Sequence, residues 1–419
     1  MSDWAIHKFG GSCLRIPGDI IKIKQRIQES LGKPIVVVSA LWGVTDRLLR
    51  ATREPWQWSA LVNDLRKQHS RFIPQVVQEP LFEEVLENLA ADLLSLCHEP
   101  MNDVVKASVL ASGERLASIT LSTSLREKGL DCKPISADEL GIIISEDGAA
   151  IDIQATSKLL NLEMINEGIP VISGWFGRDL KGEIKVLDRG GSDLSAAALA
   201  RILDAKQVTL WKDVPGVLSI SPRWGIESNT ISYLGHEEAL ALARAGGIIL
   251  HASCIEPLKG TGIPCIIRSL HEDSAKTTIG PDMKTENKGV TAISCVPGII
   301  HYSINVDGHR TASTLDSLLN LLKGEAVKVW SLSAGEGHIT MFIPSSMANV
   351  LEKTMESIGA KWQKSEIASL ISLIGRSIEI EIENTLHYIQ EECALHILTD
   401  EEDLQGLMLK LSKKFKLLA

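Results

Sequence analysis

The sequence predicts an α/β protein: a mostly parallel central sheet sandwiched by helices, followed by two small α+β modules. Three observations carry this expectation. Over the first two thirds of the chain, short apolar runs alternate with longer stretches of helical spacing. Strands that alternate with helices need crossover connections, and these build parallel sheets. Near Ile279 the pattern stops at "IGPDMKTENKG", a polar stretch with Gly and Pro and no periodicity, which reads as a linker. Past it, runs of period 2 alternate with helical runs in two successive sets. The chain has 419 residues, 44% hydrophobic and 23% charged. That is ordinary globular composition in a chain longer than one hydrophobic core usually organises.

The buried strands of the first region are "WAIHKF" (residues 4–9), "PIVVVSA" (34–40), "PVISGW" (170–175), "QVTLWKD" (207–213) and "IPCIIR" (263–268). Helical stretches between them include "DLSAAALARILDA" (193–205) and "HEEALALARAGG" (236–247). In parallel sheets ligands bind beyond the carboxyl ends of the strands, so residues just after each strand are the candidates for chemistry. In the second region "GVTAISCV", "GIIHYSINV", "EAVKVWSLS" and "GHITMFIP" read as strands, and "STLDSLLNLLKG" and "MANVLEKTMESIG" as helices. The second set is "IASLISLIG", "NTLHYIQEE", "CALHILTD" and the helical "DLQGLMLKLSKKF".

A formal net charge of -10 argues against nucleic acid or an anionic membrane surface as partner. The seven cysteines are odd in number and form no C-x-x-C pair, which fits a reducing compartment and excludes a cysteine zinc site of usual spacing. "MSDWAIHK" lacks the basic and apolar regions of a signal peptide, and no apolar run reaches the ~18 residues of a spanning helix. A cytoplasmic protein is expected.

Two glycine doublets stand beside cations. "KFGGS" (Lys8, Gly10, Gly11, Ser12) follows the first strand, and "LDRGGSDLSAAALA" carries Arg189, Gly190 and Gly191 into a helix. Glycine backbone lets a ligand approach closely. Ser192 or Asp193 can cap the helix, whose free N–H groups and dipole favour an anion. One such doublet alone is an ordinary turn. Two in one α/β unit, each with a cation, point to anion binding, with Lys8 supplying charge where it develops. In "VVVSALWGVTDRLL" Thr45 is placed as an N-cap whose hydroxyl could hold a substrate. In "LASGERLAS" Glu114 is a solvated helix residue or, inside a cleft, a partner for an ammonium group. "LWKDVPGVLSISPR" ends a strand in a Pro-Gly turn or a nucleotide loop. Signatures of P-loops, dinucleotide folds, zincins and serine-hydrolase elbows are not found.

In order along the chain, "HKFGGS", "VVVSALWGVTDRLL", "SGERLAS", "RGGSD", "LWKDVPGVLSISPR" and "ISYLGHEEALALARAGGIILH" resemble the blocks of the aspartate kinases of the amino-acid-kinase family. The resemblance covers Met1 to about Gly280, and the double α+β tail is similar to the paired ACT regulatory domains of those enzymes. It implies a catalytic domain over 1–280, a linker over 281–289 and a regulatory region over 290–419. In that region one ACT module (about 299–363) is inserted into another, built from 290–298 and 367–419.

The resemblance further implies phosphorylation of the β-carboxylate of L-aspartate by ATP with Mg²⁺, giving 4-phospho-L-aspartate, the first step toward lysine, threonine and methionine. Lys8 would stabilise the transferring phosphoryl group and Asp193 would orient Lys8. Thr45, Glu114, Arg189 and Ser192 would bind aspartate, Arg189 at the α-carboxylate and Glu114 at the ammonium. Gly10, Gly11, Ser12, Lys212, Asp213, Leu218 and Arg223 would contact the nucleotide. No dedicated metal site on the protein is implied, since Mg²⁺ rides mainly on phosphates and waters. A lysine or threonine effector at the ACT modules and a homodimer or larger homo-oligomer are also implied. Several positions depart from the pattern: Lys212 replaces threonine, Leu218 tyrosine, Ile248 a lysine, Asp188 glycine and Cys13 serine. Lys212 is expected to compensate for the cation lost at Ile248. Cys13 is expected to be buried and inert, the alternative being a reactive thiolate. Two other functions stay open: a kinase of another amino acid or carboxylate, and an amino-acid sensor without turnover.

Overall fold

Apolar runs bounded by turn residues become strands, and the first region stacks them into one sheet. The computed structural model describes residues 2–188, 190–246, 251–273, 275–282, 289–324, 329–380, 385–400 and 402–419. The chain divides into two compact units. One comprises residues 1–217, 230–236 and 250–283, and the other residues 218–229, 237–249 and 284–419.

The first unit begins β1 (Trp4–Phe9), α1 (Asp19–Gln28), β2 (Lys33–Val38), α2 (Val44–Ala51), α3 (Trp58–Ser70), α4 (Pro80–His98) and α5 (Asp103–Arg126). It continues β3 (Cys132–Ile135), α6 (Ala137–Leu140), α7 (Ile153–Leu159), α8 (Leu162–Asn166) and β4 (Ile169–Ser173). Then come the hairpin β5 (Phe176–Arg178) and β6 (Ile184–Val186), α9 (Gly191–Ile202) and β7 (Gln207–Lys212). β8 (Tyr233–Gly235), β9 (Cys265–Ser269) and β10 (Lys276–Gly280) complete the series, while α10 (His236–Arg244), which follows β8, falls in the second unit from Glu237 onward. Among the described residues the sheet order is β3-β4-β2-β1-β7-β9-β10-β8. Every neighbouring pair is parallel except β9 with β10.

The strands read as continuous apolar runs because helices cover both faces of such a sheet. Ile35, Val36, Val37 and Val38 are all fully buried. Phe9, Val36, Leu48, Leu65, Phe82, Leu116 and Leu121 join sheet and helices in one core. α5 is buried along most of its length, which its run of Ala, Ser, Gly and Thr permits. β10 was not among the strands expected from the sequence; it lies where the linker was expected to begin.

The second unit contains β11 (Gly289–Asn305), α11 (Thr311–Gly324), β12 (Ser331–Gly335), β13 (His338–Pro344), α12 (Ala348–Ser357) and β14 (Lys361–Lys364). β15 (Ala368–Arg376), β16 (Thr385–Gln390), β17 (Ala394–Thr399) and α13 (Leu404–Lys414) follow. Its strands pair antiparallel in the order β12-β13-β11-β15-β17-β16, with β14 also on β11. β11 serves two groups of strands. Its first part pairs with β15, and from Ile299 onward it pairs with β13 and then β14. The register shifts between Pro297 and Ile299, where proline has no ladder donor. Each part has its own core: Ile293, Ile371, Leu373 and Met408 in one, Tyr302, Leu318, Met341 and Leu351 in the other. This antiparallel region is consistent with paired ACT-type modules. No helix among the described residues is long and apolar enough to cross a membrane.

Candidate functional site

β1 lies between β2 and β7, and the register brings Phe9 level with Val38 on one side and Trp211 on the other. The loops that leave these strands therefore start from one end of the sheet, beyond the carboxyl ends of its central strands. Lys8 reaches from β1 to the first turn of α9, where its Nζ lies 2.6 Å from Asp193 Oδ1. Lys212, the last residue of β7, donates to Asp193 Oδ2 at 2.6 Å. One carboxylate thus spans two ammonium groups. Lys8 and Asp193 are each 5% exposed.

Burial opposes the charge on Asp193, but Lys212 and Lys8 outweigh it and hold the carboxyl well below its usual range. Lys8 is pushed down by burial first, opposed by Asp193 and reinforced by the like charge of Lys212. For Lys212 burial also works against the charge, yet Asp193 prevails and its pKa rises. Two lysines on one aspartate give the cluster a formal positive charge.

The first glycine doublet packs closely against its neighbours. A Cβ on Gly10 would lie 3.3 Å from Lys8 Nζ, and one on Gly11 would lie 3.1 Å from the Ala40 carbonyl. Two capping expectations are corrected. Helix α9 is opened by Gly190 at φ 84°, and neither Ser192 nor Asp193 caps it. Likewise Gly43 at φ 76° opens α2, so Thr45 is a half-buried first-turn residue. Left-handed glycine turns the chain directly into the helix, and the polar side chains of the first turn are released from capping.

Glu114 on α5 is 2% exposed. Its Oε1 accepts from the Ala40 amide at 3.2 Å. Its Oε2 is buried and has no hydrogen-bond partner among the described residues. Burial pushes its pKa up to about 8, against the pull of the Ala40 hydrogen bond and of Lys8. It is not the solvated helix residue that was one of its two readings. Next to it, Ser39 Oγ donates to Ser192 Oγ at 3.0 Å. Trp175, at φ 71°, holds a left-handed conformation rare for a bulky residue, tied by its amide to Ser195 and by its carbonyl to Leu187.

The profile of the amino acid kinase family matches residues 3–269. The chain belongs to the amino acid kinase family. It is 27% identical over 300 residues to lysine-sensitive aspartokinase 3 of Escherichia coli, covering 68% of this chain and 66% of that protein. It is 26% identical over 387 residues to a chloroplastic bifunctional aspartokinase/homoserine dehydrogenase of Arabidopsis thaliana, covering 84% of this chain and 42% of that one. The chain thus spans less than two thirds of the length of either relative. In fold it is similar to E. coli aspartokinase III solved with aspartate and ADP. The TM-score is 0.80 at 20% identity, covering 98% of this chain and 99% of that one.

Of the residues expected at the site of this member of the amino acid kinase family, the structure gathers Lys8, Gly10, Gly11, Ser12, Asp193 and Lys212 beyond the ends of the central strands, with Glu114 and Ser192 beside them. Asp213, next to Lys212, is paired with Arg15 at 3.0 Å. Leu218 and Arg223 belong to the second unit, where the Arg223 guanidinium donates to the Cys295 carbonyl. Arg189 and Ile248 lie outside the described residues. Cys13 donates to the Trp211 carbonyl at 3.3 Å and is fully buried, and burial pushes its thiol up to about 11. The thiolate alternative for Cys13 is therefore overturned. Sequence reading missed Arg15, Trp42, Ser39, the Ala40 amide and Trp175. For Ser39 and Ala40 the signal was present: they are the first residues past the apolar run that ends β2.

Proposed function

We propose that this chain is an aspartate kinase, transferring the γ-phosphoryl group of ATP to the β-carboxylate of L-aspartate. The observation that carries the reading is the buried Lys8–Asp193–Lys212 bridge at the glycine-lined strand ends, with the half-satisfied Glu114 carboxylate beside it. The relatives named above, and a solved relative holding aspartate and ADP, support it.

The acceptor carboxylate, with an ordinary pKa near ~3.9, is already ionised at neutral pH, so no general base is required. The obstacle is repulsion between an anion and a polyanion. Lys8 and Lys212 oppose the charge on the transferring phosphoryl oxygens, and Asp193 holds both ammonium groups in place before the nucleotide arrives. Gly10, Gly11 and Ser12 admit the phosphates. Glu114 Oε2 takes the substrate ammonium, which draws its carboxyl back to the charged form. Ser192, Thr45 and Arg189 complete the acceptor side, with Arg189 on the α-carboxylate. Asp213, directly after Lys212, belongs to the nucleotide side.

No group of three acidic, His or Cys side chains suited to a metal is found among the described residues. The carboxylate at the site is already shared by two lysines. That donor set fits Mg²⁺ only as the ion carried by the nucleotide, where it would neutralise phosphate charge. The tail is read as a regulatory region for a lysine or threonine effector and as a homo-oligomer contact. A solved E. coli aspartokinase III complex with lysine and aspartate supports the effector reading.

Trapping the acyl phosphate with hydroxylamine tests the reading across a panel of amino acids with ATP and Mg²⁺. Hydroxamate formed with L-aspartate is the expected result. Hydroxamate with glutamate alone would reassign the acceptor, and amino-acid binding without hydroxamate would make the protein a sensor.

A further inference from the structure

Outside the buried bridge, Arg15, Trp42 and Asp213 come together beyond the same ends of the central strands. The Arg15 guanidinium lies over the indole of Trp42, 4.0 Å from the ring centroid. Its Nη2 donates to Asp213 Oδ2 at 3.0 Å. Arg15 is in the loop after β1, Trp42 in the loop after β2 and Asp213 in the loop after β7. A single side chain therefore joins three loops that leave adjacent strands.

The segment it anchors is the one that carries the first glycine doublet. Cys13 and Leu14 donate back to the carbonyls of Gly10 and Gly11, at 2.9 and 3.1 Å. Trp42 donates to the Leu14 carbonyl at 3.3 Å. The amides of Arg15 and Ile16 both donate to the buried Asp19 carboxylate, at 2.9 and 3.0 Å. The backbone from Gly10 to Ile16 is thus held at both ends, and the Arg15 head ties it to its neighbours.

Arg15 and Asp213 are each 44% exposed and Trp42 is 55% exposed. Ion pairs and cation–π contacts this exposed add little to fold stability. A large indole left half in solvent beside a charged loop is not explained by packing.

We propose that Arg15 is a positioning residue for the nucleotide, tying the glycine loop to Trp42 and Asp213 so that Gly10 and Gly11 hold the shape that receives polyphosphate. The pair also covers the Asp213 carboxylate, which would otherwise repel the incoming anion. This rests on the kinase reading above.

The test uses the full chain and three variants, Arg15→Ala, Arg15→Lys and Trp42→Ala. Arg15→Ala is expected to raise the KM for ATP about tenfold, with the KM for aspartate and kcat moving less than about twofold, because the lost contacts act on one ligand. Arg15→Lys recovers part of the loss, since it restores the charge opposite Asp213 but not the planar stack. Trp42→Ala loses less than Arg15→Ala because the ion pair survives. The difference between wild type and Arg15→Ala narrows as salt is added. Unchanged ATP constants in Arg15→Ala overturn the proposal. So does a loss shared equally by both substrates with a lowered melting temperature, since that marks a purely structural role. Calorimetric ADP binding, measured alongside, separates this from the kinase reading. A protein that binds ADP but makes no acyl phosphate refutes the kinase reading alone, and its ADP Kd in Arg15→Ala still decides the role of Arg15. A wild type that binds no ADP sinks both.

Discussion

Two helices each bring a buried carboxylate to the carboxyl ends of the central strands, and the two carboxylates behave oppositely. Asp193, in the first turn of α9, meets two lysines and is held firmly ionised. Glu114, in the middle of α5, meets one backbone amide, keeps one oxygen without a partner, and has its pKa raised to about 8 by burial. Burial is nearly the same; the partners differ. A buried acid whose charge is already answered works as scaffolding. A buried acid whose charge is unanswered is waiting for a cation, and an α-ammonium group is the cation an amino-acid substrate supplies.

The largest expected effect comes from breaking the answered side. Asp193→Ala leaves two buried ammonium groups facing each other, which should cost about 3–5 kcal/mol of stability and most of the activity. Denaturant unfolding measures the first and the hydroxamate rate the second. Lys8→Met keeps the volume and removes the charge, and kcat is expected to fall about 10²–10³-fold with a small change in KM.

Breaking the unanswered side should separate binding from stability. Glu114→Gln is expected to raise the KM for aspartate about 10–100-fold, since a charge-assisted contact is lost. It should also raise the melting temperature, as polar groups buried for function destabilise the free protein. The sign follows from its raised pKa. Between the ordinary 4.5 and about 8, the unfolded chain gives up the Glu114 proton while the folded chain keeps it, so wild-type stability falls as pH rises through that window. The variant lacks this loss. Its advantage should therefore widen from pH 5 to pH 8 and then level off.

Much of the first region was legible because its signals are local. "WAIHKF" and "QVTLWKD" could be read as strands, since apolar runs act within a few residues. The parallel crossover pattern followed from their alternation. The cap positions were misread at Thr45 and at Ser192 because a glycine in the left-handed region opened each helix earlier. The bond between Lys212 and Asp193, 19 residues apart in sequence, is set by which strand lies beside which helix, and that is a tertiary fact. Arg15 was passed over for the same reason: only the sheet order brings Trp42 and Asp213 to it. Glu114 offered two readings, a solvated helix residue or a partner for an ammonium group inside a cleft, and composition alone could not choose between them.

A smaller effect is expected at Lys212. Lys212→Ala leaves Asp193 with Lys8, so the KM for ATP should rise about five- to tenfold, more than the KM for aspartate. An unchanged ATP constant would end the idea that this lysine serves the nucleotide. The smallest effect is expected at Cys13. Iodoacetamide treatment of the native protein should leave activity intact, because the thiol is buried and protonated. Inactivation prevented by ATP would contradict that.

The contrast between the two carboxylates can be read directly by titrating their side-chain carbons by carbon-13 resonance, with Glu114→Gln and Asp193→Asn as assignments. Glu114 should titrate near pH 8 in the free protein and lose that step when aspartate is bound, while Asp193 stays ionised throughout. Two ordinary acid titrations near pH 4, unmoved by aspartate, would contradict the account.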